Sequence, residues 1–216
     1  MHYSWMNLLA VNSELPNTKM NTMLLFLGLL TFALAETPPR VRECSNVSVK
    51  QNFQPQNFFK GKWFLTNVKP TPEESDATNV CQGSTSRELE DGTVNHVIFA
   101  YSDVLKPEFM LTNCTGNVKN KQEKVVFQCE RKRHDKTENF QLEVTIVETD
   151  YENFAIYYVC GKHGAEVTGD DFLVLNRKED GEPTDPRIAE TLKRHGLVLN
   201  ELLSRKSVHC KVPPNV

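Results

Sequence analysis

The sequence lacks the short motifs that mark the common classes of enzyme. It has no Gly-x-Ser-x-Gly elbow, no His-Glu-x-x-His metal motif and no phosphate-binding glycine-rich loop. Acidic pairs occur at Glu73-Glu74 and Asp170-Asp171. Neighbours on an extended chain point apart, and such pairs more often serve as solvated caps than as an acid–base pair. These absences predict a protein that is not an enzyme and has no metal centre.

The chain also lacks a strong excess of charge of either sign. Its 216 residues include 25 basic and 28 acidic side chains, which gives a formal net charge of -3. A balance this mild does not favour nucleic acid or an anionic membrane surface as a partner. No internal repeat or low-complexity segment is visible, and we expect a monomer.

An apolar run of membrane-spanning length is missing as well. The run Met23–Ala35 is shorter than the roughly 20 residues that a spanning helix needs, and it ends in small residues before a polar stretch. This pattern is typical of a secretory signal peptide cleaved after Ala35. We therefore predict that residues 1–35 are an N-terminal extension and signal peptide, and that residues 36–216 form one secreted domain.

What the chain does contain is six cysteines, all downstream of Ala35. In an exported protein, an even number of cysteines predicts disulfides instead of redox or metal chemistry. Six cysteines allow 15 pairings, and their spacing alone selects none of them. Export also makes two glycosylation sequons available, at Asn46 and Asn113. Asn46 is the better acceptor, because a disulfide cysteine occupies the middle of the Asn113 sequon.

Short runs rich in Val, Ile, Phe, Tyr and Thr recur with polar turns between them, which is typical of an all-β sandwich or barrel. Helical spacing of Ile and Leu follows Asp185-Pro186, a cap and first-position pair. We therefore predict an all-β fold, an eight-stranded antiparallel up-and-down barrel with a C-terminal helix packed outside. The predicted strands are Trp63–Val68, Val80–Leu89, Thr93–Ser102, Glu108–Cys114, Glu123–Arg133, Asn139–Glu148, Asn153–Cys160 and Asp171–Asn176.

The start of the first predicted strand resembles a known signature. Gly61-x-Trp63 is similar to the Gly-x-Trp of lipocalins. It is accompanied by Cys81 in the second strand, by Tyr157–Cys160 at the end of the seventh, and by Gly169–Arg177 after it. This ensemble resembles the salivary lipocalins of blood-feeding triatomine bugs, the group that includes the nitrophorins, triabin and pallidipin. The resemblance extends over residues 44–210 and implies a secreted lipocalin barrel.

The resemblance also implies a disulfide pairing. The two bridges that the group shares correspond to Cys44–Cys160 and Cys81–Cys210. Cys114 and Cys129 are then left for each other, and they flank one predicted hairpin on which facing positions bring sulfurs within bonding reach. This third bridge resembles that of triabin.

Nitrophorins bind haem through a histidine in the third strand, and the matching position in this chain is Ala100. His96 lies four residues away on the same strand face, about 13 Å toward the other end of the strand. The departure at Ala100 predicts that no haem or other cofactor is bound. His96 is interpreted as a neutral histidine that is hydrogen-bonded near the floor of the barrel.

In such a barrel, the loops after strands one, three, five and seven gather at the end that admits ligands. These loops are predicted at 69–79, 103–107, 131–137 and 161–170. The third is strongly basic, and positive charge at the mouth of a dry cavity suits phosphate oxygens. The predicted ligand-binding residues are Arg131, Lys132, Arg133, Lys136, Lys162 and His163.

Two alternatives remain open at the mouth. A charged hairpin tip is often simply solvated. Acidic residues in the first loop, Glu73, Glu74 and Asp76, suit a cationic amine instead.

The resemblance implies a secreted protein of saliva that binds a small host agonist stoichiometrically and so inhibits platelet aggregation. Within that group the basic mouth favours an adenine nucleotide, ADP above all, followed by an anionic eicosanoid. One alternative is a triabin-like inhibitor that blocks the host protease thrombin with its outer surface. Another is a scavenger of biogenic amines.

Overall fold

A computed structural model describes residues 43–70, 80–102, 107–118, 124–133 and 136–214, without the side chains of Arg133 and Ser207. Its principal feature is one antiparallel sheet in which β1 pairs with both β8 and β2, so the sheet closes into a barrel. Closure leaves the eight long strands without a free edge. They are β1 (Lys60–Val68), β2 (Gln82–Glu88), β3 (Thr93–Ser102), β4 (Glu108–Asn117), β5 (Val125–Arg133), β6 (Lys136–Thr149), β7 (Phe154–His163) and β8 (Glu166–Asn176).

The predicted fold class is confirmed, but two of the four predicted mouth loops are wrong. Residues 131–137 and 161–170 are mostly strand, because the ladders continue to the pairs Arg133↔Lys136 and His163↔Glu166. These hairpins can contain many charged residues because alternate side chains along each strand point outward into solvent. Most of the other two loops lies outside the described residues, as do Glu73, Glu74, Asp76, His134 and the predicted signal peptide.

One end of the barrel is closed by the short helix α1 (Pro55–Phe58) and its neighbours. The rings of Phe53, Phe58, Phe59 and Trp63 pack against one another there, and all are at least 95% buried. Phe58 stacks on Trp63 with 5.2 Å between centroids, and the indole N–H donates to the Phe58 carbonyl. We refer to these four side chains and α1 as the closed end.

Arg177 attaches the end of β8 to the closed end. Its guanidinium lies 3.7 Å from the Trp63 ring and donates to five carbonyl oxygens at 2.5–3.2 Å. The tight path of the chain here requires Gly61, whose φ of 63° is the left-handed conformation that glycine tolerates. Gly61-x-Trp63 therefore provides a turn at the glycine, followed by the indole ring on which the Arg177 guanidinium stacks.

Helix α2 (Pro186–Arg194) packs on the outside of the barrel, as predicted. The Asp185 side chain accepts a hydrogen bond from the Arg187 N–H and caps it, and Pro186 occupies the first turn. Ile188 and Leu192 are fully buried, in a cluster with residues of β7 and β8. Beyond Gly196 the chain forms a short 3-10 turn, Leu199–Glu201, then a two-residue strand, β9 (Leu203–Ser204), beside β1, and a second 3-10 turn, Arg205–Ser207.

Three disulfides join Cys44 to Cys160, Cys81 to Cys210 and Cys114 to Cys129, which is the pairing that the resemblance implies. The first two attach the N-terminal and C-terminal segments to the barrel wall. The third joins facing residues of β4 and β5, and its cysteines are 3% exposed and belong to the core cluster. Within the described residues, no helix is long and apolar enough to cross a membrane.

Candidate ligand-binding cavity

A cavity of about 360 Å³ lies inside the barrel, between the closed end and the opposite rim. That volume falls at the small end of the range for sites that enclose small ligands. The cavity arises because alternate residues of each strand point inward and several of them are too short to meet across the barrel. Its walls are mainly apolar, with Ile98, Met110, Phe140, Leu142, Val144 and Leu173 among the lining residues.

Arg131 is the one cationic side chain in the described lining of this cavity. Its Nε and Nη2 donate to Glu138 Oε2 at 3.1 and 2.7 Å across the β5–β6 hairpin. The guanidinium also lies 5.3 Å from the centre of the Phe140 ring. These contacts hold a planar, permanently charged group at the rim of an apolar chamber, in an orientation suited to a carboxylate or phosphate.

The other predicted basic residues do not converge on Arg131. Lys132 points outward, is 75% exposed in its side chain and lies 3.8 Å from Glu130. Lys136 is exposed at the start of β6, in the inward-facing register of Glu138 and Phe140. His163 is exposed at the end of β7. The Arg133 side chain lies outside the described residues.

Lys162 lies on the outer wall, where it makes an ion pair with Glu143. Glu143 also pairs with Lys124. Although burial raises the pKa of Glu143, hydrogen bonds from the two lysines outweigh it and the net pKa is lowered. Lys162 is therefore committed to a surface ion-pair network on the far side of the wall from the cavity.

His96 is a buried polar residue in the lining, 5% exposed and deeper than Arg131. Its Nδ1 lies 2.7 Å from Ser86 Oγ, and the rings of Phe59 and Phe127 contact the imidazole. Burial lowers the pKa of His96 to about 4, so the ring is neutral at physiological pH. The interpretation of His96 as a neutral, hydrogen-bonded residue near the closed end agrees with this geometry.

Two further polar side chains, Tyr157 and Thr112, line the cavity. Burial raises the pKa of Tyr157 to about 12, so its hydroxyl remains protonated and able to donate. Thr112 is 7% exposed and pairs with Arg131 across the β4–β5 ladder. The cavity thus combines apolar walls with a few polar groups at defined depths.

Asp171 stands on β8 in register with Val159, whose side chain lines the cavity. Burial raises the pKa of Asp171 to about 6, and the neighbouring Asp170 adds to that effect. A hydrogen bond from the Phe172 N–H and the charge of Lys69 act in the opposite direction. This side of the barrel therefore carries a carboxyl group that ionises at a higher pH than an ordinary aspartate does.

The cavity does not fit haem. Ala100 lines it at the position of the expected ligand and offers no metal-binding atom. The small volume also leaves little room for a porphyrin, and the His96 ring is already held between Ser86 and two phenylalanines. No cluster of three or more metal-ligating side chains occurs in the described part of the chain.

A larger and more open groove of about 720 Å³ lies outside the barrel, beneath the segment from Cys44 to Asn52. Its lining is largely polar and includes Lys124, Glu143 and Asn46. Asn46 is exposed there, and Asn113 is exposed on β4. An open polar groove retains its water, so we regard the cavity inside the barrel, whose lining is more apolar, as the better candidate site.

Alternation along the strands carried a signal that distinguishes the basic residues. Phe127, Cys129 and Arg131 share one face of β5, whereas Lys132 shares the other with Glu130. Treating the segment as a loop hid that difference. The partners of His96 and Arg131 depend on strand register, which becomes visible only once the barrel is built.

Comparison with known proteins gives consistent matches. A family model described as Nitrophorin matches residues 44–214. Triafestin-1 of Triatoma infestans is 31% identical over 177 residues, covering 78% of this chain and 83% of that protein. Pallidipin of Meccus pallidipennis is 27% identical over 188 residues, covering 85% and 93%.

Among solved structures, the tryptamine complex of the amine-binding protein of Rhodnius prolixus matches with a TM-score of 0.67. Its sequence is 22% identical, and the match covers 79% of this chain and 90% of that one. At this identity the match establishes the likeness of the fold.

Proposed function

We propose that the chain, which belongs to the nitrophorin family of triatomine salivary lipocalins, binds one small host molecule with a largely apolar body and a single anionic group. A carboxylate lipid mediator of the eicosanoid class matches that description. As a secreted protein, it would lower the free concentration of such a platelet agonist by stoichiometric binding.

The observation that carries this proposal is the position of Arg131 in an apolar cavity. A guanidinium has five N–H donors, of which Nε and Nη2 each use one on Glu138, so three remain for a ligand. A ligand carboxylate at this position would accept charge-assisted hydrogen bonds from those donors.

ADP, which the sequence favours, receives less support from the arrangement of charges. Its phosphates need several cations around one point, but Lys132 points outward and Lys162 is committed to Glu143. The cationic-amine alternative depends on Glu73, Glu74 and Asp76, which lie outside the described residues, or on Glu138, which is paired with Arg131. Both ligands therefore serve as competitors in the test.

Isothermal titration calorimetry of the secreted protein with a stable thromboxane mimic, its methyl ester, ADP and serotonin tests the proposal. We expect one-to-one binding of the carboxylate, and binding of the ester at least tenfold weaker, because one charge-assisted hydrogen bond is worth about 1.5–3 kcal/mol. Tighter binding of ADP or serotonin than of the carboxylate would replace this proposal with the nucleotide or the amine alternative.

Thrombin provides a control from another class of function. A barrel that acts through its cavity should leave thrombin's cleavage of a small peptide substrate and of fibrinogen unchanged. Inhibition of thrombin by a protein that binds none of the four small molecules would assign the function to the outer surface instead.

A further inference from the structure

The cavity contains polar groups deeper than Arg131 for which the described part of the chain supplies no hydrogen-bond partner. Among the described residues, the fully buried side-chain nitrogen and oxygen atoms without a hydrogen bond are Asn67 Oδ1 and Glu88 Oε2. His96 Nε2 and the Tyr157 hydroxyl have no hydrogen-bond partner either, and neither belongs to that fully buried set. Because both residues line the cavity, the accessible surface of these atoms faces it.

The contact with Ser86 indicates which nitrogen of His96 carries the proton. If Nδ1–H donated to Ser86 Oγ, the serine hydroxyl would be a buried donor with no acceptor. If the serine hydroxyl instead donates to Nδ1 across the 2.7 Å contact, the donor without a protein partner is Nε2–H, which belongs to a residue of the cavity lining and can reach water or a ligand there. Since a buried donor without a partner costs free energy, the second arrangement is favoured.

His96 lies deeper in the barrel than Arg131 at the charged rim. His96 pairs with Cys114 on β4, and Thr112, two residues along that strand, pairs with Arg131 on β5. Two residues correspond to about 7 Å along a strand. A ligand with its anion at Arg131 therefore extends past His96 on its way to the closed end.

We propose that His96 Nε2–H and the Tyr157 hydroxyl form a donor pair that selects a ligand with an uncharged oxygen acceptor part-way along its body, such as a ring ether, a carbonyl or a hydroxyl. This inference rests on the proposed function. It adds that the protein prefers oxygenated carboxylate lipids to plain fatty acids of the same chain length. A site with buried donors rejects analogues that lack the acceptor, because those donors then lose their solvent without gaining a partner.

Calorimetry with the thromboxane mimic and with arachidonate, on the wild type and on Tyr157→Phe and His96→Phe, tests this inference. The wild type should bind the oxygenated acid at least tenfold more tightly than arachidonate. Each variant should lose most of that preference, because the oxygenated acid loses a hydrogen bond and arachidonate no longer leaves that donor without a partner. Equal losses for both acids, or a wild type without preference, would overturn the donor pair and leave the acid–ester result intact.

Ser86→Ala and Ser84→Ala form a matched pair, since both serines are buried at the same side of β2. Ser86→Ala should reduce the preference because the imidazole loses the partner that orients it, and Ser84→Ala should not. Nitrogen-15 shifts of the His96 ring in the unliganded protein give a readout that needs no lipid. A proton on Nε2 supports the inference, and a proton on Nδ1 contradicts it whatever the calorimetry shows.

Discussion

The closed end and the cavity end of the barrel are stabilised in different ways. At the closed end, four aromatic rings fill the interior and Arg177 satisfies five carbonyl groups. Along the cavity, by contrast, Arg131, Tyr157 and His96 place polar groups on walls that are otherwise mainly apolar. The comparison indicates that folding free energy is concentrated at one end, while capacity for binding is kept at the other.

The strongest test of that division is Arg177→Ala. The substitution removes the stacking on Trp63 and takes the Arg177 donor away from the Asn57 and Tyr151 carbonyls, both in partly buried hydrogen bonds. We expect a loss of about 3–5 kcal/mol in the free energy of unfolding, measured by urea denaturation. Ligand affinity of the folded fraction should change little, since the residue does not line the cavity.

Arg187→Ala is the matched control. Arg187 also lies over a ring, that of Phe154, but its side chain is 46% exposed and bonds only to its neighbour Asp185 in the described structure. The expected cost is below about 1 kcal/mol. Equal losses for the two variants would show that the closed end is not the centre of stability.

Much of this closed end follows from the sequence. The Gly61-x-Trp63 pattern, the alternation of the strands and the Asp185-Pro186 start predict the barrel and its outer helix. The role of Arg177 does not follow, because its five acceptors come from residues up to 120 positions away. Such contacts depend on strand register, which local pattern does not reveal.

His96 lies between the two regions, and its neutrality predicts a pH dependence. The unfolded histidine binds a proton near pH 6.5, whereas the folded one remains neutral down to about pH 4. The unfolded state therefore gains protons as the pH falls through this window, and stability decreases by roughly 3 kcal/mol. His96→Gln should remove this component, as measured by urea denaturation at intervals from pH 7 to pH 4.

His163→Gln is the control for that series, since His163 is exposed and should leave the profile unchanged. A wild-type profile that His96→Gln does not alter would mean that His96 is already solvated, and with it the inner part of the cavity.

Asp171 should give a smaller dependence of stability on pH, opposite in sign to that of His96. Its pKa of about 6 lies above its unfolded value of 3.8, so the folded state holds a proton that the unfolded state has lost. Stability therefore decreases as the pH rises from about 4 to about 6. Because the group is partly solvated, we expect Asp171→Asn to be more stable than the wild type by only roughly 1–2 kcal/mol at pH 7, and equal to it at pH 4.

Asp180→Asn, at an exposed position, should show no such gain. If Asp171→Asn is no more stable than the wild type at pH 7, the carboxyl group is fully hydrated and the rim beside β8 is wetter than the structure indicates.

The candidate site was harder to predict than the fold. Arg131 and Lys132 are adjacent in a basic run, and their charge alone does not separate them. The strand geometry does, because it turns one toward Phe140 and the cavity and the other toward solvent and Glu130. The sequence therefore indicated where the basic residues lie along the chain, and the pairing of β5 with β6 determined which of them faces the cavity.

The most direct test of the central claim is a double-mutant cycle that combines Arg131→Gln with removal of the ligand's charge. Calorimetry would compare the thromboxane mimic and its methyl ester on the wild type, on Arg131→Gln and on the adjacent outward-facing control Lys132→Gln. If the anion is held at Arg131, Arg131→Gln should abolish most of the acid's advantage over the ester, a coupling of about tenfold or ~1.4 kcal/mol. Lys132→Gln should preserve that advantage. An acid–ester ratio that is unchanged in Arg131→Gln, or reduced equally by both substitutions, would contradict the account.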